Sequence, residues 1–402
     1  MNVHLPVVRL DDRFEDYRLE DCRLEIVDSD ARLAEIGAQW NALWRRGDGL
    51  IFQSHDWVAA WWRTVPNRDS RQLRIGLIWR GEEVMAILPL AIQRRKGLRF
   101  LEWVANDCSD YADILIDPRC PPAALDRLWR QLVAAGGFDL YFLNRLRPEA
   151  KFRAILNAPD GPRLSASHRT ETCSQVAGDW TTGAQWFEAQ SKKTRQNYRR
   201  GRKALDESGN VAFRLLPLDE PVAPVLKRLS ELKRQWLADS GRVSPLFDEA
   251  APALPALVEV LTEAGVLRIF VLECEGKTIA ISVNFVQHGT LMAFLTSYDP
   301  SFERGSPGMV LLMDYVQWSI DQGHKMVDFL CGEEPFKVRF ATRSVTLTSV
   351  MGPRTLKGRV AMLLDRTRRN SQSVLDGWRA WRATTAKRPG ASQGAGTVGD
   401  EG

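Results

Sequence analysis

Residues 298–312 read YDPSFERGSPGMVLL. A β-prone run over 290–298 stops at Tyr298, a short polar loop follows, and Pro307-Gly308 opens a helically spaced run. Proline suits the first turn of a helix, where its missing N–H would have no partner anyway. Glycine lets a backbone approach a ligand closely. The free N–H groups and dipole of a helix start favour an anion, and Arg304 adds a cation. Arg304, Gly305, Ser306, Gly308 and Met309 are therefore candidates for a phosphate cradle. A plain strand–loop–helix connection with a good cap fits the same letters.

Working outward, two more strand-like runs, 267–273 and 278–286, precede the run at 290–298, with Glu275-Gly276 and His288-Gly289 as hairpin turns. A helix over 308–322 stops at Gly323, and a strand covers 326–330. Upstream lie a basic helix from Ser191 to about Ser208, a strand at 211–216, and helices at 222–239 and 250–264. The first half is similar in kind. Its apolar spacing predicts helices over 30–46, after Ser54, and over 122–135, with strands at 73–79, 84–92, 98–104, 111–116 and 138–143. Residues 157–170 are rich in Pro, Gly and Ser and read as a connector. Periodicity alone predicts an α+β chain with a mixed sheet.

The chain has 402 residues, enough for two or three domains. No apolar run approaches the roughly 18–20 residues of a membrane span. The N-terminus is charged and lacks the apolar core of a secretory signal. Six scattered cysteines form no CxxC pair, so neither a metal site nor a disulfide framework is expected, and a cytoplasmic setting fits best. The net charge of +5 is unevenly spread. Segment 354–388 carries ten Lys/Arg against two acids, and 192–203 carries seven bases and no acid. The remainder is acidic, which places binding of phosphates, nucleic acid or anionic lipid on these two elements; a DNA partner is not expected.

Five stretches carry a resemblance: FQSHDWVAAWW at 52–62, SDYADILI at 109–116, SKKTRQNYRRGRKAL at 191–205, YDPSFERGSPGMVLL at 298–312, and VDFLCGEEPFKVRFA at 327–341. In that order they resemble the CelD/BcsL-type GNAT acetyltransferases of bacterial exopolysaccharide and cellulose gene clusters, relatives of the FemAB aminoacyltransferases. The resemblance implies two tandem GNAT-like folds, each a mixed sheet flanked by helices. It also implies an acyl-CoA donor, no metal, and transfer of an acyl group to an amino sugar or other polysaccharide precursor. The usual GNAT pyrophosphate loop is Q/R-x-x-G-x-G/A, and here Pro307 stands three residues after Arg304. The Fem relatives take aminoacyl-tRNA instead, which is one rival reading. A non-catalytic GNAT-derived module that binds an anionic signal is another.

Acyl transfer to an amine needs a base and a donor for the developing oxyanion. Asp299, Asp328, Glu333 and Glu334 are the candidate bases, and Tyr298 is a candidate acid. Asp110, Tyr111 and Lys337 are candidates for acceptor binding, with Asp113 as the weaker aspartate. Lys192, Arg195, Arg199 and Arg202 fall on one helical stripe, and Arg195 and Arg199 are candidate anion ligands. His324 and Asp328 match an HxxxD pattern, but a histidine just after Gly323 suits a helix C-terminus and reads as structural. Trp57, Trp61 and Trp62 read as packing rather than as a sugar platform.

The expected organisation is a flexible leader over 1–20, an N-terminal GNAT-like domain over 21–175, and a C-terminal one over 176–353 with the donor site. Basic amphipathic helices over 354–388 and a disordered tail over 389–402 follow. Leu356, Val360 and Leu363 are expected to pack on the body. Trp378 and Trp381 are expected to provide a peripheral contact with an anionic membrane or the polysaccharide-synthesis machinery at the inner membrane.

Overall fold

The computed structural model describes residues 19–158, 164–167, 170–248, 252–332 and 334–367. The first half contains β1 (Cys22–Val27), α1 (Asp30–Glu35), α2 (Gly37–Arg46), α3 (His55–Thr64), β2 (Arg71–Leu73), β3 (Ile75–Arg80), β4 (Glu83–Leu88), β5 (Leu90–Arg95), β6 (Leu98–Trp103) and β7 (Leu115–Ile116). It is completed by α4 (Pro122–Ala135), β8 (Leu140–Leu146) and α5 (Arg153–Leu156). The short β9 (Ser165–Ala166) and then β10 (Glu171–Ala177) lead into the second half. There follow α6 (Gly183–Ala189), α7 (Lys192–Asp206), β11 (Val211–Leu215), α8 (Ala223–Ser240), α9 (Ala253–Glu263), β12 (Leu267–Cys274), β13 (Lys277–Gln287) and β14 (Thr290–Tyr298). The last elements are α10 (Pro307–Asp321), β15 (Met326–Cys331), α11 (Pro335–Phe340) and β16 (Arg343–Pro353). A helix over 356–367 ends the described chain.

The architecture is mixed α/β, with two similarly built halves. Each half runs antiparallel strands into a helix and then a parallel partner. In the first, α4 joins β6 to the parallel β8. In the second, α10 joins β14 to the parallel β15. One large mixed sheet, in the order β11-β12-β13-β14-β15-β10-β16-β8-β6-β5-β2, runs through both halves. Its middle is made by β10 and β16: β10 pairs with β15 and β16, and β16 pairs with β8. β10 itself spans the position between residues 175 and 176. β1, β3, β4 and β7 form a separate four-stranded sheet.

Several elements differ from the sequence expectation for local reasons. The run 84–92 is two strands, because Pro89 cannot donate to a ladder and the chain changes sheets there. The helix over 30–46 is split at Ile36; Gly37 follows, where a Cβ would stand 2.8 Å from the His55 ring. The strand over 111–116 shrinks to Leu115–Ile116. Before it, Asp113 accepts the N–H groups of Ile114 (2.8 Å), Lys151 (2.8 Å) and Phe152 (2.9 Å). Asp113 thus builds a loop and is not an acceptor ligand.

The helix over 356–367 overturns the expectation for its leucines. Leu356, Val360 and Leu363 are 75%, 50% and 63% exposed. The helix meets the body through Gly358, which sits on the Asp139 carbonyl where no side chain fits, and so the apolar stripe faces away. Trp378 and Trp381 lie outside the described residues.

Helix α3 packs against α9 of the other half. Trp57 is fully buried, edge-on to Phe52 (5.3 Å) and to Phe294 of β14 (5.8 Å), and donates to Ser109 Oγ at 3.0 Å. The aromatic run 57–62 is therefore core between the halves. Trp57→Ala is expected to cost about 3–5 kcal/mol, measured by denaturant unfolding. Leu218→Ala, at a position 73% exposed, is expected to stay within about 0.5 kcal/mol of the parent.

Candidate functional site

The parallel pair β14/β15 is joined only from Thr290↔Met326 to Met292↔Asp328. Beyond that point the strands part. The β13/β14 register shifts by one residue at Val283/Asn284, so Phe294 is an extra residue on β14. Such a bulge bends its strand and leaves backbone groups unpaired. The four residues Ala293–Thr296 are correspondingly half-exposed, although they belong to a central strand. The result is an open fork. The corresponding pair in the first half, β6/β8, also separates after Leu101↔Tyr141. That fork is filled: Trp103 donates to the Asn144 carbonyl at 3.0 Å and packs edge-on to Phe152. Beside it a cavity of only about 10 Å³ remains, too small for more than about one water.

At the mouth of the open fork stands the 304–309 segment, the candidate for a phosphate cradle. α10 begins after Ser306, whose backbone is left-handed (φ 48°) and whose side chain makes no cap. Pro307 has no N–H, and those of Met309 (3.0 Å) and Val310 (3.1 Å) are bonded to the Ser306 carbonyl, so in this first turn the Gly308 N–H is the donor left for an anion. A Cβ on Gly308 would lie 3.1 Å from the Tyr298 ring, so glycine keeps this corner open. Met309 is the next residue of the same first turn. Gly305 is buried against α7, where a Cβ on Gly201 would meet the Gly305 carbonyl at 2.7 Å. Arg304 is extended into solvent, 3.6 Å from Glu207. Tyr198 of α7 donates to Asp314 of α10 at 2.6 Å, which ties the basic helix to the helix of the cradle.

The stripe on α7 is partly neutralised. Arg195 donates to the Glu188 carboxylate and, at 2.7 Å, to its carbonyl. Arg199 lies 3.6 Å from Glu188 and over the Phe187 ring. Arg202 pairs with Asp206 at 3.2 Å. Lys192, Lys193 and Lys203 are exposed with no acidic partner among the described residues.

A second group converges between the halves. Asp328 is buried, and its Oδ2 accepts from Tyr111 Oη at 2.7 Å and Gln175 Nε2 at 2.8 Å. Its Oδ1 accepts the Leu330 N–H at 2.8 Å. Burial pushes its pKa up against the pull of Tyr111 and Gln175. Leu330 is left-handed (φ 57°), a conformation that costs energy in a branched residue; the Asp328 turn holds it. Lys337, 9% exposed, donates to the Cys331 carbonyl at 2.7 Å and lies 3.1 Å from Glu334. Asp110 is packed deep in this seam with part of its surface open. Burial raises its pKa, opposed by Arg145 and Lys337 and reinforced by Asp328. Arg145 is fixed by Glu171 (2.7 Å) and the Asn106 and Ser109 carbonyls. Cys173 and Cys331 are free thiols facing each other at 3.4 Å.

Thus the structure brings together Asp110, Tyr111, Asp328, Lys337 and Glu334. It places Tyr298, Arg304, Gly305, Ser306, Gly308 and Met309 around the fork mouth. Asp299 is a correction. It caps the turn after β14 and is held by Arg228 (2.6 Å), Lys277 (2.8 Å) and the Ser301 N–H (3.0 Å), so it is an anchored ion and not a free base. Glu333 lies outside the described residues. His324 bonds Ser319 at 3.1 Å beside Trp318, away from Asp328's partners. Gln175, Arg145 and Glu171 are participants that the sequence did not mark. Among the described residues no group of three metal-ligating side chains occurs.

Residues 192–338 match the family model described as Acetyltransferase (GNAT) domain. No curated protein matches the chain. Among solved structures, the C-terminal domain (DUF2156) of a lysylphosphatidylglycerol synthetase from Agrobacterium fabrum superposes with a TM-score of 0.51 at 14% identity, covering 83% of this chain and 96% of that one. FemX superposes at 0.49 with 9% identity, covering 78% and 95%. A tandem GNAT protein from the clavulanic acid biosynthesis pathway superposes at 0.43 with 10% identity, covering 82% and 98%. At such identities the Agrobacterium superposition speaks for the fold and not for a substrate.

Asp299 yields a pH prediction. Burial opposes its charge, but Lys277 and Ser301 outweigh burial and hold its pKa at about 2. A lowered carboxylate pKa stabilises the fold above its unfolded value, roughly 3.9, and the gain fades as pH falls toward the folded value. Asp299→Asn is expected to cost about 2 kcal/mol at pH 7 and roughly half that near pH 3. Denaturant midpoints at both pH values measure it, and a difference that does not shrink at low pH contradicts the assignment.

Proposed function

We propose that the chain is an N-acyltransferase that moves an acyl group, acetyl in the simplest case, from acyl-CoA to the amine of an amino sugar or other precursor in exopolysaccharide or cellulose synthesis. The open fork between β14 and β15, inside the segment matching the GNAT domain, carries this reading. Gly308 and the uncapped start of α10 suit a pyrophosphate, and Arg304 is free to swing onto it. The pantetheine arm would lie along the half-exposed edge of β14, where the unpaired backbone at Phe294 offers a donor for the developing oxyanion.

The acceptor side is the seam. Asp110 would hold the acceptor amine and take its proton, since a carboxylate raised by burial is a better base. Lys337 has one N–H beyond its two bonds and would steady an acceptor oxygen. Tyr111 and Asp328 position Asp110 from behind. Tyr298, at the mouth, is placed to return a proton to the leaving thiolate. The polysaccharide setting rests on the resemblance of the five sequence stretches. One observation favours a second donor: the exposed Lys192, Lys193 and Lys203 beside the cradle would also suit the long polyanion of an aminoacyl-tRNA.

Calorimetric titration with acetyl-CoA tests the donor. Gly308→Leu, which must displace Tyr298, is expected to weaken binding at least about tenfold without lowering the melting temperature. Unchanged affinity places the donor elsewhere, and tRNA binding without CoA binding selects the second donor. Asp110→Asn is expected to reduce turnover about 10²–10⁴-fold. Turnover within a few fold of the parent removes Asp110 as the base.

A further inference from the structure

The helix over 356–367 is fixed to the body at its start. Arg354 donates to the Val133 carbonyl at 3.1 Å and lies over Phe138. Thr355 donates to Asp139 at 3.0 Å and caps the Gly358 N–H at 3.1 Å. Lys357 reaches the Gly97 carbonyl at 2.6 Å. Gly358 is buried and touches the Asp139 backbone. At about 100° per residue, Leu356, Val360 and Leu363 fall on the side opposite Gly358, with Leu364 beside them. These four are 75%, 50%, 63% and 63% exposed. A helix that docks by its small-residue side and turns its leucines outward is the reverse of an ordinary surface helix.

The charges on either side of the stripe identify what covers it. Lys357 flanks the leucines on one side, and Arg359 and Arg366 on the other. The chain that continues from 368 to 388 adds six bases, one acid and two tryptophans. Leucines bordered by bases, on a helix whose Gly358 side rests on the body, match an interface of lipid acyl chains beneath anionic headgroups. A protein partner would have to supply an apolar groove with acidic walls on both sides. We propose that this helix docks the protein on an anionic lipid surface, with Leu356, Val360, Leu363 and Leu364 entering the headgroup layer and Arg359 and Arg366 meeting lipid phosphates. The proposal is independent of the acyl-transfer reading.

Co-sedimentation of the full chain with phosphatidylcholine vesicles, with and without phosphatidylglycerol, tests it. The parent is expected to bind the anionic vesicles in low salt, to leave the neutral ones, and to detach as salt rises. Leu363→Glu/Leu364→Glu is expected to lower the partition coefficient at least about tenfold with an unchanged melting temperature, since these side chains are exposed. Arg359→Glu/Arg366→Glu is expected to abolish the preference for anionic lipid. Failure of the parent to sediment, or equal sedimentation of parent and leucine variant, overturns the proposal. So does a parent that is dimeric by analytical ultracentrifugation and a leucine variant that is monomeric, which assigns the stripe to a second copy.

Discussion

The buried carboxylate of Asp328 is the point on which the arrangement turns. A buried charge is costly unless its lone pairs are satisfied. Here the donors come from three parts of the chain: Tyr111 in the first half, Gln175 on β10, and the Leu330 N–H on its own strand. Satisfying it therefore fixes how the halves meet. It also sets the site. Tyr111 carries its neighbour Asp110 into the seam. The left-handed turn at Leu330 directs Cys331 and its carbonyl toward Lys337.

The two similar halves differ at the corresponding place. Both have a parallel pair that separates, and both have a left-handed residue late in the second strand, Arg145 in β8 and Leu330 in β15. In the first half the gap is occupied by Trp103 and Phe152, and Arg145 is committed to Glu171 and loop carbonyls. The first half thus serves as a wall that presents Asp110 and Tyr111 to the second. The bulge at Phe294 keeps the second fork open while its side chain packs on Trp57 of that wall. Apolar packing between the halves and access to the fork are consequences of one residue's placement.

Local signals were legible where local chemistry decides. Pro307 and the loop glycines marked the start of α10, and the three strands before it were read nearly to the residue. Strands that exist only through distant partners were not. β10 and β16 form because each finds neighbours in both halves, and nothing in 171–177 or 343–353 announces that. The site followed the same division. Asp110, Tyr111, Asp328 and Lys337 sit in short polar motifs and were picked out. Gln175 lies in an unremarkable strand, and only the fold brings it to Asp328. Asp299 looked free in the sequence because Arg228 and Lys277, its partners, are remote in the chain. The spacing of the apolar residues in 356–367 marks an apolar face but not the direction it points.

The central claim is that the second fork alone receives the donor. Hydrogen exchange of the full chain, with and without saturating acetyl-CoA, measures it most directly. Slowed exchange is predicted over 293–298 and 304–310, with 98–110 of the closed fork unchanged. Protection over 98–110 instead, or no protection at either fork while acetyl-CoA is bound, would contradict the account.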